Sequence, residues 1–222
     1  PLPFLTVNTG LNFQWHWAEA EDYEGNRYHQ NSSAAFASLK LEVSPEKLEL
    51  LAGGRQQLTE GRAAPFAPFV GFSYRPLSHL NISANVGKNY RIPTINDKYW
   101  VPGGNPDLEP ESGWSQDVTI AWGMPAQENT FKGVSMEKAS LTTYHKKISG
   151  WISWLPGETS SYWTPRNVLE VRSYGVEARL GLLAQTENTV TRLNLRWDHS
   201  ATENIRARSV NDDSVGKQLI YV

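Results

Sequence analysis

Apolar and polar side chains alternate residue by residue over long stretches of this chain. That pattern constrains the fold more than any other feature. Between Leu5 and Trp17 the odd positions are Leu5, Val7, Thr9, Leu11, Phe13, Trp15 and Trp17. The even ones are Thr6, Asn8, Gly10, Asn12, Gln14 and His16. Leu80, Ile82, Ala84 and Val86 alternate with Asn81, Ser83, Asn85 and Gly87. Val118, Ile120 and Trp122 alternate with Asp117, Thr119 and Ala121. Val176, Ala178, Leu180 and Leu182 alternate with Glu177, Arg179 and Gly181. A period of two places one residue type on each face of a strand, and none of these segments has helical spacing.

Reading strands from this pattern gives segments near 4–18, 34–43, 48–55, 66–75, 79–90, 113–123, 139–152, 168–183, 189–198 and 216–222. Short connections (44–47, 76–78, 184–188) then alternate with long ones (19–33, 56–65, 91–112, 153–167, 199–215), with one exception at 124–138. Short turns at one rim and long loops at the other are the layout of an antiparallel up-and-down transmembrane β-barrel. A β-sandwich with one wet and one buried face per sheet would show the same alternation. The Trp residues lean toward the membrane. Trp114 and Trp122 share a face and lie roughly 26 Å apart along a strand, at about 3.3 Å per residue, close to the height of an apolar band. Trp15, Trp17, Trp151 and Trp154 stand at the long-loop ends of their strands, as an interfacial belt requires.

The 222 residues carry a net charge of −2 with pI ≈ 6.3, which argues against a nucleic-acid partner. No apolar run is long enough for a membrane-crossing helix. The five His residues lack metal-ligand spacing, and Asp212-Asp213 lacks the pattern of a calcium loop, so neither a metal nor a cofactor is expected. Glu109 and Glu111 flank Pro110 without a nearby nucleophile or His, so no catalytic residue is assigned. Both ends of the chain look cut, and it reads as part of something longer.

The segment from Asn89 to Glu111, NYRIPTINDKYWVPGGNPDLEPE, carries the most specific signal. Pro106 and Pro110 remove backbone donors and exclude a central strand. Gly103 and Gly104 permit positive φ, and Asn105-Pro106 favours a turn. Asn89-Tyr-Arg-Ile-Pro-Thr94 and Gly104-Asn-Pro-Asp-Leu-Glu-Pro-Glu111 resemble the signature of the TonB-dependent receptors of the Gram-negative outer membrane. Ser173-Tyr-Gly-Val-Glu177 and Gly216-Lys-Gln-Leu-Ile-Tyr-Val222 resemble later blocks of that family, in the same order. The matching motif positions are Arg91, Pro93, Asn105, Pro106, Leu108, Pro110, Glu111, Gly175 and Glu177.

The resemblance implies an all-β fold: residues 1–222 as about ten strands of a barrel of about 22 strands, with the plug domain lying outside this chain. It implies a Glu at the lumen wall facing the plug. It implies capture and import of a scarce nutrient such as a ferric siderophore or cobalamin, with energy delivered by TonB through the plug, and outer-membrane lipid around the wall. Ligand contacts are expected from the long loops, at Tyr23, Tyr28, His29, Arg91, Tyr99, Trp100, Tyr162, Trp163 and Arg166, because aromatics with a few polar groups suit a bulky, partly apolar ligand. Two other readings stay open: a small passive outer-membrane pore or adhesin, and a soluble secreted β-sandwich that binds glycans.

Overall fold

The computed structural model describes residues 4–123, 133–156, 161–206 and 215–218. Its strands are β1 (Leu5–Glu19), β2 (Arg27–Ser44), β3 (Leu48–Thr59), β4 (Arg62–Ala63), β5 (Ala67–Leu77), β6 (Leu80–Arg91), β7 (Glu111–Gly123), β8 (Gly133–Pro156), β9 (Trp163–Gln185) and β10 (Val190–Asn204). Glu21–Tyr23 form a 3-10 turn and Ile95–Tyr99 a short helix, α1. All ten strands belong to one sheet. Its path runs in sequence order, β1-β2-β3-β5-β6-β7-β8-β9-β10, and β4 pairs only with β3. Every pairing is antiparallel.

This topology removes one of the open readings. A sandwich needs a second sheet against the first, and the described strands form only one. β1 and β10 do not pair among the described residues, and the last strand read from the sequence, 216–222, lies largely outside them. The sheet is an open section of wall.

Its two faces differ as the alternation requires. One register row crosses the whole wall through Leu5, Leu41, Leu50, Phe72, Ala84, Val118, Thr143, Val176 and His199. The neighbouring row passes through Lys40, Leu51, Gly71, Asn85, Asp117, Tyr144, Gly175 and Ser200 on the opposite face. The apolar face stands uncovered by any other described element: Leu11 is 73%, Phe13 77% and Trp15 71% exposed. A contiguous apolar surface of this kind requires another apolar phase against it.

The observed strands outrun the segments read from alternation. β2 begins at Arg27 instead of 34, and β3 reaches Thr59. β8 and β9 run 24 and 23 residues, against roughly 9–11 for a membrane crossing. Ladder hydrogen bonds continue where the apolar band stops, and a strand beyond that band no longer needs alternation. The connections at 45–47, 78–79 and 186–189 therefore lie at one rim, and those at 20–26, 60–66 and 92–110 at the other. Of the remaining expectations, residues 219–222 of the tenth segment, residues 124–132 of the exceptional connection, and Asp212-Asp213 lie outside the described residues. Val215 and Gln218 make single bridges to Asn204 and Glu203.

Two local structures escaped the pattern reading. Glu60 (φ 52) and Gly61 (φ 78) make a two-residue turn with positive φ at both positions, which folds β4 back on β3. Thr94 and Asp97 form a reciprocal capping box that starts α1.

Candidate ligand-binding rim

The long-loop rim is organised by the connection 92–110. Its base is the pair Arg91 and Glu111, register partners at the ends of β6 and β7. The Arg91 guanidinium grips Glu111 with two nitrogens, Nη2 to Oε1 at 2.5 Å and Nε to Oε2 at 3.0 Å. Its third nitrogen donates to Asp97 Oδ2 at 3.3 Å. Both carboxylates are buried and hold further donors. Glu111 accepts the Ile152 backbone N–H at 2.7 Å. Asp97 accepts Thr94 N and Oγ1 and the Trp154 indole N–H. Buried carboxylates persist only when their lone pairs are filled, and these are filled from several separate elements. All three Arg91 nitrogens are committed to this network.

The loop then travels along the rim, fastened at intervals. The Val101 N–H donates to the Asp22 carbonyl at 2.8 Å, and Gln30 Nε2 to the Pro93 carbonyl at 3.0 Å. Lys98 approaches Glu60 at 3.7 Å. Asn105 donates its side-chain amide to the Pro165 carbonyl and turns the chain by accepting from Asp107 N. Asn167 clasps the stretch before β7, accepting from Glu109 N and donating to the Glu109 and Gly150 carbonyls. Glu109 is exposed whereas Glu111 is buried, so the two carboxylates on either side of Pro110 point into different environments.

Gly103 and Gly104 are required for closeness rather than for positive φ, which neither adopts. A Cβ on Gly103 would collide with the Trp163 carbonyl oxygen. One on Gly104 would stand 2.6 Å from the Lys98 carbonyl oxygen and the Trp100 nitrogen.

This fastening assembles an aromatic group from three separate segments. Tyr28, on β2, and Tyr99, on α1, stack face to face with centroids 4.1 Å apart and planes within 5°. Tyr23 meets Tyr28 and Trp100 edge-on at 5.8 and 6.4 Å, and its hydroxyl reaches Asn96. Burial, and then the Glu60 carboxylate, push the Tyr99 phenol above its ordinary pKa.

Of the residues expected to touch ligand, the structure thus brings Tyr23, Tyr28, Tyr99 and Trp100 together and ties Arg91 into their support. His29 lies elsewhere. It belongs to β2, not to a loop, pairs with Trp17 in register and stacks on Trp15 on the apolar face. Trp163 and Arg166 belong to β9, not to a loop; the Trp163 ring is largely exposed, and Tyr162 precedes that strand. Trp154 is bonded to Asp97, and Trp151 lines a cavity of about 320 Å³ with Arg91, Glu111 and Lys146. Trp154 is thereby held in the rim network, whereas Trp15 and Trp17 stand exposed on the apolar face.

Among the motif positions, Pro93 and Leu108 are buried. Gly175 is overlaid by the Tyr144 ring, whose hydroxyl would be 2.6 Å from an added Cβ. Glu177 pairs with Arg179 and Arg196 on the polar face. Pattern reading missed Asp97 and Asn167, and placed Trp154 in a membrane belt where the structure bonds it to Asp97. The Thr94-x-x-Asp97 spacing was the one available signal for Asp97.

The family model for the TonB dependent receptor-like β-barrel matches residues 4–222. The vitamin B12 transporter BtuB of Photobacterium profundum is 32% identical over 112 residues, 49% of this chain and 17% of that protein. BtuB of Vibrio vulnificus is 27% identical over 128 residues, 58% of this chain and 19% of that protein. The matched part thus spans less than a fifth of these relatives. Among solved structures, the siderophore receptor PirA from Pseudomonas aeruginosa superimposes with a TM-score of 0.67 at 14% identity, over 93% of this chain and 40% of that one. The copper transporter OprC superimposes with 0.65 at 16% identity, over 92% and 36%. These likenesses in shape show the same barrel wall. With a family match over nearly its whole length, residues 4–222, and a sheet of the same wall architecture, this chain belongs to the TonB-dependent receptor-like β-barrels.

Proposed function

We propose that this wall belongs to a Gram-negative outer-membrane receptor that captures a bulky nutrient at the cell surface and imports it with energy transmitted by TonB through a plug domain. On this reading residues 1–222 are all barrel, about ten strands of about 22, and the long-loop rim faces outward. The observation that carries the proposal is the Tyr28–Tyr99 stack with its edge-on neighbours Tyr23 and Trp100. It is an aromatic cluster mounted on a fixed network, with Tyr23 at its buried base and Trp100 at its more exposed edge, the kind of site that holds a large, partly apolar ligand. The BtuB relatives favour a corrinoid, and an iron chelate is the second candidate. Import of this kind has no reacting bond for the chain to break, so no residue is given a catalytic role.

The test is titration of the full-length receptor with cyanocobalamin and with a ferric siderophore, for wild type and for Tyr28→Ala and Tyr99→Ala. Corrinoid binding weakened about tenfold or more by either substitution, roughly the 1–3 kcal/mol of a lost stacking partner, supports the reading. Binding of the iron chelate alone moves the assignment to iron. Binding of neither, or uptake unchanged in cells without TonB, overturns it.

A further inference from the structure

One row on the apolar face has a composition unlike its neighbours. Lys88, Trp114, Lys147, Arg172 and Glu203 are successive register partners on β6, β7, β8, β9 and β10. Four strand spacings of about 4.8 Å make the row roughly 19 Å wide. Lys147 and Arg172 stand directly opposite each other, an arrangement that disfavours the sheet by itself. Arg172 also lies over the Tyr174 ring at 5.8 Å and pairs with Glu203. Lys147 and Arg206 share Glu170, both at 3.3 Å. Lys88 has no carboxylate partner among the described residues. Four cations thus meet two carboxylates, leaving an excess of positive charge on a wall section whose chain is slightly acidic overall.

The height of the row is fixed by what surrounds it. Towards the strand centres the same face carries Val86, Gln116, His145 and Tyr174 in the next row, and beyond them Val118, Ile120, Leu141, Ala178 and Trp197. Trp114 sits inside the row, at the level where an indole marks the boundary between hydrocarbon and headgroups. The opposite end of the same strands presents Leu80, Trp122, Ala139, Leu180 and Leu195 in register, without a cation. The excess charge is therefore on one side of the bilayer only.

We propose that this row, resting on the membrane-spanning reading above, binds the phosphate headgroup of an anionic lipid in the leaflet on the long-loop side. A phosphate bridging Lys88, Lys147 and Arg172 neutralises the opposed cations and gives a site on the wall, outside the path of any transported ligand. The charge is complementary, and the cations reach the phosphate depth while their stems cover the apolar edge.

The test uses the full-length receptor in phosphatidylcholine bilayers containing spin-labelled phosphatidic acid or spin-labelled phosphatidylcholine. Wild type should immobilise the phosphatidic acid in roughly threefold or greater preference, falling with salt. Lys88→Gln, which removes no ion pair described here, and the double variant K88Q/K147Q should lower that preference towards parity. Lys146→Gln, one residue along β8 on the opposite face, should leave it unchanged. Equal immobilisation of both lipids by wild type overturns the lipid site while leaving the spanning wall intact. Loss of preference in Lys146→Gln as large as in Lys88→Gln also overturns it, because the effect is then net charge alone. Absence of any immobilised lipid overturns the membrane-spanning reading itself.

Discussion

Arg91 and Glu111 sit 20 residues apart in sequence yet face each other as the last and first residues of β6 and β7, joined by two hydrogen bonds. The excursion between them returns the chain to where it left, so the pair works as a clasp at the base of the loop.

The clasp sets the first expectation. Glu111→Ala leaves Arg91 half-satisfied and the Ile152 N–H without an acceptor, in a buried place. It should destabilise the folded receptor by about 2–4 kcal/mol. Arg91→Lys keeps the charge but loses the fork geometry, and should cost about 1 kcal/mol. Thermal unfolding followed by loss of the heat-modifiable band measures both. A Lys variant worse than the Ala variant would contradict the burial argument.

Gly103→Ala should displace the loop from Trp163, because the added methyl meets a backbone carbonyl that no rotamer change can move. Gly123→Ala, with nothing within 4 Å of its Cβ, is the matched control. The first should cost at least about 1 kcal/mol and the second stay within about 0.5 kcal/mol. Differential protease sensitivity in the 92–110 connection reads the same effect.

The Tyr99 phenol is held neutral by burial and by Glu60, so it titrates above the ordinary value of 10.0. A raised pKa makes the folded state bind its proton more tightly than the unfolded chain. The associated stability is complete below the ordinary value and disappears as pH rises through the folded pKa. Ultraviolet difference titration of wild type minus Tyr99→Phe should show this late transition. Glu60→Gln should bring it partway back toward normal, and a transition at or below the ordinary value would refute the assignment.

Cysteine scanning along β6 checks the two faces. Positions 81, 83 and 85 should react with a water-soluble maleimide, while 80, 82 and 86 react only with a lipid-soluble one. The register places Asn81, Ser83 and Asn85 beside Ala121, Thr119 and Asp117, and Leu80, Ile82 and Val86 on the other face. Uniform reactivity would remove the two-faced wall.

The wall was legible because its determinant is local. A period of two is visible within a handful of residues, and it found the centres of the long strands from β1 to β10. Their ends were not legible, since Arg27 to Ser33 and Trp163 to Asn167 continue the ladder without a run of alternating apolar side chains to betray them. The rim was legible in part. Pro106, Pro110 and the Arg91–Glu111 ends announced an ordered loop, and Tyr99 and Trp100 announced an aromatic one. What brings Tyr28 against Tyr99 is the pairing of strands distant in sequence, which no local pattern encodes. The same holds for Asn167, whose side chain looks like any polar residue until β9 is laid beside β8. His29 misled for the opposite reason: a polar, aromatic residue expected in a loop turned out to stack on Trp15 along the apolar face.

On the proposed function, the fastenings of the 92–110 loop act on recognition itself. A rim left loose would have to be immobilised anew by each ligand, and affinity would be reduced by that ordering. Here the aromatic surface is already frozen when the chain folds. Discrimination would then fall to shape: a molecule that fits the Tyr28–Tyr99 cluster as it stands is held quickly, and one that needs the cluster to reshape is turned away.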